Sequence, residues 1–223
     1  MVGGLVGVGL LYGALHVGRC TAPERVRPVT AQGSARPAVP HLQAAPPVTL
    51  TDLVWEDFRG VRLPHSPTDG PREVHDGLAA GFARTPRGAL LAAMHICLRA
   101  DARWGHEVFE PTITRQVIGP GADLLLSSAR DSARAAHHGE DVRARVVFEG
   151  FRWLGYTPET ATLDIVSAGP GDSDSTARAA TRIQVQWKDG DWRVVAPLGG
   201  GWGSSAYPVD DPDGFTLFPG GGR

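Results

Sequence analysis

At 223 residues, with 42% hydrophobic and 21% charged side chains, the chain holds enough apolar material for one core and not two. A formal net charge of −2 lacks the basic excess of a phosphate-binding surface, so no nucleic-acid partner is expected. Cys20 and Cys97 are the two cysteines; their placement argues against a disulfide scaffold, and with no CxxC pair and no Cys/His cluster no structural zinc site is expected.

Residues 2–18 (VGGLVGVGLLYGALHVG) carry no charge and would reach roughly 25 Å as a helix, against a hydrocarbon core of about 30 Å. Their terminal position and the polar stretch that follows favour a membrane anchor over a core helix. A secretory signal fits less well, because neither a basic leader nor a small-residue cleavage site is present. Arg19 directly before Cys20 speaks against lipidation. Arg19, Arg25 and Arg27 on the carboxyl side would keep that side cytoplasmic by the positive-inside rule. The orientation adopted is the opposite one, a single-pass cell-membrane protein with an extracytoplasmic domain, which implies a basic leader upstream of Met1. Residues 19–50 are dense in proline and alanine and read as a linker.

Residues 51–64 (TDLVWEDFRGVRLP) give two apolar bursts about Arg59 and Gly60, suggesting a hairpin or a packed arm. Residues 65–77 look like loop; His65, Asp69, His75 and Asp76 lie there with nothing to fix their geometry. The strongest helix signal follows, over residues 81–104. Thr85 suits an N-cap and Pro86 a first helical position, and Ala89, Ala93, Ile96, Cys97, Ala100 and Trp104 then form one apolar stripe. His95 and Cys97 are two apart, so they cannot share a face as base and nucleophile. Residues 106–118 and 122–136 continue as helices, joined at Gly119, Pro120 and Gly121. His137, His138, Glu140 and Asp141 read as an exposed helix end rather than a metal site.

Residues 143–156, 160–168, 180–187 and 191–197 are rich in β-branched and aromatic residues and read as four strands. Ile183, Val185 and Trp187 alternate with Arg182, Gln184 and Gln186, which gives one buried and one wet face. Between the last two strands, Asp189 and Asp191 raise the question of a cation or phosphate site. The Asp189-Gly190 pair is a hairpin signal, and the segment after it lacks the further oxygen ligands of a calcium loop. Gly199 to Gly201 open no helix, so no nucleotide cradle is expected. Asp172, Asp174, Asp210, Asp211 and Asp213 lie among glycine, serine and proline and read as solvated turns. With no GxSxG, SxxK or HExxH motif, no catalytic, metal or cofactor-binding residue is expected.

The tail, residues 198–223, carries Trp202, Tyr207, Phe215 and Phe218, which are costly to leave in water. Either they fold back on the sheet or they form an interaction surface. The layout expected is therefore an anchor (1–18), a linker (19–50), an α+β domain (51–197) and the tail (198–223). In that domain about three helices pack on a bent antiparallel sheet of about four strands, in the manner of a cystatin-like or nuclear-transport-factor-like cone.

Trp55 with residues 60–64, GFARTPRGALLAA (81–93), FEPT (109–112), WKDGDWRVVAP (187–197) and Gly201-Trp202 together resemble a family of uncharacterised actinobacterial membrane-anchored proteins often associated with integrative conjugative elements. That resemblance implies an anchored domain without established activity. A looser likeness to cone-shaped scaffold subunits of type IV secretion and conjugation machines is an analogy of fold. The function expected is a non-enzymatic assembly or interaction domain at the membrane. Its partners would be other envelope or conjugation proteins, or a second copy of the chain. The alternative is a small-molecule binder or enzyme with a pocket between the first helix and the sheet, beside His95.

Overall fold

The computed structural model describes residues 47–75, 77–136, 146–171 and 175–220. β1 (Val54–Phe58) and β2 (Val61–His65) pair antiparallel. Arg59 and Gly60 join them with φ of 52° and 90°, the left-handed pair that a two-residue hairpin turn requires. β3 (Glu73–His75) and β4 (Leu78–Ala80) form a second ribbon inside what the sequence presents as loop.

α1 (Pro86–Arg99) begins as its residues dictate: the Thr85 hydroxyl accepts from the Gly88 amide at 3.0 Å and Pro86 fills the first turn. Alanine, leucine and methionine then sustain it. Every residue from Gly88 to Ile96 is buried, because β2 and β4, the helix α2 (His106–Gln116) and the main sheet enclose α1. The expected stripe thus understates α1, which is apolar nearly all round. β5 (Val117–Ile118) and α3 (Ala122–Ala136) follow α2.

The main sheet gathers β5, β6 (Val147–Tyr156), β7 (Thr160–Pro170), β8 (Thr176–Lys188), β9 (Asp191–Val195), β10 (Ala206–Pro208) and β11 (Thr216–Leu217). Its order is β11-β6-β7-β8-β9-β5, with β10 on the edge of β8 beyond β9. β6 slips register at Phe148/Gly150 and Trp153/Gly155, which bends it. β7 lies at the centre and is buried on both faces from Leu163 to Gly169. On β8, Ile183 and Val185 are buried while Arg182, Gln184 and Gln186 are exposed.

Two expectations are corrected. The sheet has seven strands and is mixed, since β5 runs parallel to β9, and two separate ribbons precede α1. It is therefore not the four-stranded antiparallel sheet of the expected cone. Strands of two or three residues leave no alternation to read, which is why β5, β10 and β11 escape the sequence. The second correction concerns the membrane. The expected anchor at residues 1–18 lies outside the described residues, and among those described no helix is long and apolar enough to cross a membrane. The assignment to the cell membrane is dropped on that finding.

Candidate functional site

Asp189 and Gly190 take φ of 52° and 80° and turn β8 into β9. The Asp191 carboxylate accepts from the backbone amides of Gly81 (2.9 Å), Phe82 (3.1 Å) and Trp192 (2.8 Å). It ties the loop before α1 to the hairpin, and its oxygens serve those amides rather than a cation or phosphate.

Two other buried carboxylates are likewise satisfied. Asp69 receives Thr85 Oγ1, Thr68 Oγ1 (2.8 Å) and Arg87 Nε (2.7 Å). Burial pushes its carboxyl up, but those donors outweigh it and hold Asp69 below the usual range. Asp164, on the sheet face away from α1, receives Arg182 Nε (3.0 Å), Arg152 Nη2 (2.9 Å) and Tyr207 OH (2.7 Å). There too burial is overcome by the donors, and the carboxyl is held low.

The tail aromatics fold back. Phe218 is buried, edge-on to Trp55 at 5.4 Å and 5.6 Å from Phe151. Phe215 lies under the Arg152 guanidinium at 4.5 Å, and Tyr207 is the phenol bound to Asp164. Trp202 caps a space between α1 and the sheet, beside Met94, Cys97 and Thr181. That space holds about 30 Å³, room for a water or two and not for an organic ligand. His95 is not among its walls. Burial pushes the Cys97 thiol up, away from the thiolate a nucleophile needs.

Asp210, Asp211 and Asp213 are exposed, and the Asp213 amide donates to Asp211 (2.9 Å) within a local turn. Cys20, Asp76, His137, His138, Glu140, Asp141, Asp172 and Asp174 lie outside the described residues. Among the described residues no three histidine, cysteine, aspartate or glutamate side chains gather as a metal would need.

An open cleft of about 540 Å³ lies elsewhere, among the β1–β2 turn, the β3–β4 ribbon, the end of α1 and α2. Phe58, Val74, Val108 and Pro111 give it apolar walls; Arg59, Arg99, Arg115 and Glu107 give it charge, and His75 lies beside them. The ribbon and α2 meet closely. Gly77 has a φ of 77°, and a Cβ there would stand 2.7 Å from the Glu107 carbonyl oxygen. Arg59 bonds Glu107 at 3.3 Å and donates to the Trp104 carbonyl. The Glu107 carboxyl is held low by its own backbone amide and by Arg59. His75 lies 3.5 Å from Glu73.

Arg99 forms the buried side of the cleft, and His95 contacts it from behind. His95 Nε2 is 2.8 Å from the Pro64 carbonyl, which can only accept, so Nε2 carries the proton and donates. Nδ1 is then free to accept from Arg99 Nη1 at 2.9 Å. Burial, reinforced by the Arg99 charge, lowers His95 to about 3 and keeps it neutral. Arg99 itself is only 2% exposed, stacks on Phe58 at 4.2 Å and is lowered to about 10 by burial. Among the described residues the cleft carries three guanidinium groups against one carboxylate, a cationic balance.

Of the cleft residues, sequence reading singled out only His75, as a loop residue. A usable signal was present: in a helix apolar on every side, His95 and Arg99 at i and i+4 must share a face and must both be buried.

A family described as a domain of unknown function (DUF8175) matches residues 20–217. No curated protein and no solved structure matches the chain. The family description carries no link to an organism, a membrane or conjugation, so the finer resemblance rests on its motifs alone.

Proposed function

From the premise that the chain belongs to the DUF8175 family, whose description assigns no activity, we propose that it is a non-enzymatic interaction domain whose cleft receives a protein partner. The observation that carries this reading is the cleft itself: about 540 Å³, walled by apolar side chains and carrying, among the described residues, three guanidinium groups against a single carboxylate. A complementary partner is acidic at its point of entry, since like charges placed opposite one another repel.

Three further features support binding over chemistry. The buried carboxylates are saturated by donors, and both ring nitrogens of the neutral His95 are engaged, Nε2–H by the Pro64 carbonyl and Nδ1 by Arg99. Nor do Cys97 and His95 meet, and the Cys97 thiol is pushed up by burial. The likeness to conjugation-associated proteins supplies a setting for such a partner within this proposal, in a transfer machine assembled from many chains.

A photo-crosslinking residue in place of Val74, which lines the cleft and is 58% exposed, tests the proposal in the cells that make the protein. The expected result is one product of defined mass, lost on Arg115→Glu and absent when the same probe replaces Leu217 on β11. No product from position 74, or equal products from both positions, refutes it.

A further inference from the structure

We propose that Arg99 is a receptor for a carboxylate of the acidic partner, the group around which the cleft is built. This rests on the binding reading above and names the chemistry of what is bound.

Among the described residues no carboxylate lies within ion-pair distance of Arg99, although it is 98% buried by its 2% exposure. That is unusual, because a buried charge is ordinarily paired. The other deeply placed arginine of α1 shows the ordinary case: Arg87 reaches both Asp69 and Asp52. What Arg99 has instead is partial compensation. Nη1 donates to His95 Nδ1 at 2.9 Å, and the Phe58 ring faces the guanidinium at 4.2 Å. The carboxyl end of α1 adds a weak favourable dipole. None of these supplies a formal negative charge.

The unused atoms are informative. Nε is enclosed and has no hydrogen-bond partner, and Nη2 makes no hydrogen bond among the described residues. Nε and Nη2 form the edge of the guanidinium that binds a carboxylate with two parallel hydrogen bonds; Nη2 offers the first, and the second forms when the side chains covering Nε move aside. Nη1, on the other edge, is the atom that His95 holds. A neutral His95 therefore orients the fork without consuming its binding edge, and it acts as a positioning residue.

Holding an unpaired cation in the interior costs stability, and the cost is recovered when a ligand supplies the counter-charge. Structural and binding roles then predict opposite effects. If Arg99 only supports the fold, removing its charge lowers the melting temperature. If it awaits a ligand, Arg99→Met, which keeps the length and the packing on Phe58, leaves the melting temperature unchanged or raises it while abolishing binding.

The test uses the full chain and three probes: an acetylated, amidated tetraglutamate peptide, sodium acetate and inorganic phosphate, each titrated at constant ionic strength. The peptide is expected to bind, acetate to compete with it, and Arg99→Met to weaken the peptide at least tenfold without a fall in melting temperature. Arg99→Lys, which keeps the charge and loses the fork, should weaken it by a similar factor. Undiminished peptide binding by Arg99→Met overturns the inference, and so does a lowered melting temperature in that variant. Phosphate competing far better than acetate at equal charge overturns the carboxylate assignment. Loss of the position-74 crosslink on Arg115→Glu is read independently of Arg99, so the cleft reading and this inference fail separately.

Discussion

The substitution His95→Gln isolates what a buried neutral imidazole contributes to stability in acid. Glutamine can keep both contacts, its amide nitrogen donating to the Pro64 carbonyl and its oxygen accepting from Arg99, but it does not titrate. In the folded chain His95 is lowered to about 3, against about 6.5 when unfolded. A depressed histidine contributes stability that is fully present above the unfolded value. As pH falls from about 6.5 towards 3, the unfolded chain takes up a proton that the folded chain refuses. Stability is lost at about 1.4 kcal/mol per pH unit across that window. Between pH 6.5 and 4.5 the loss comes to about 2 kcal/mol, or about 6 °C in melting temperature for a chain of this size. Urea unfolding followed by tryptophan fluorescence at half-unit steps of pH measures it. The native chain should lose about 2 kcal/mol over the window and His95→Gln less than about 0.5 kcal/mol. Equal slopes in the two proteins would show that His95 is not buried neutral, and the tautomer argument for Arg99 would fall with it.

Other perturbations test the frame around the cleft. Asp191→Ala strands the amides of Gly81, Phe82 and Trp192 and should cost about 3 kcal/mol, read by chemical denaturation. Gly77→Ala places a Cβ against the α2 backbone at a left-handed φ; a loss of about 2 kcal/mol and weaker peptide binding are expected together. Tyr207→Phe removes the phenol from Asp164 and should cost about 1 kcal/mol, with faster limited proteolysis between residues 206 and 218 as β10 loosens. Below about pH 4 the native chain should lose further stability as Asp69 and Asp164, both held low in the folded state, are forced to take up protons.

The parts of this fold that short-range chemistry determines were legible. Thr85 and Pro86 mark the start of α1, Asp189-Gly190 marks a hairpin, Arg59-Gly60 a hairpin or a packed arm, and the alternation from Ile183 to Trp187 marks a half-buried strand. What long-range pairing determines was not. Val117 and Ile118 continue a helical pattern and become β5 only because Val194 and Val195 lie alongside. Residues 65–77 look irregular, yet Asp69 is fixed there by Thr85 and Arg87 from another segment. The cleft draws on four separate stretches, so no spacing announces it. The His95 and Arg99 pair was nevertheless on view, as two polar residues one turn apart in a helix with no polar face.

An acidic partner has two basic places to land, the cleft proposed above and the outer face of the sheet at Arg152 and Arg182. Arginine Nε and backbone amide resonances of the full chain, followed by NMR while tetraglutamate peptide is added, decide between them. Saturable shifts at Arg99 Nε, Gly77 and Val108, with Arg152 and Arg182 unmoved, are the predicted result. Shifts confined to Arg152 and Arg182, or shifts that grow in proportion to peptide without saturating, would contradict it.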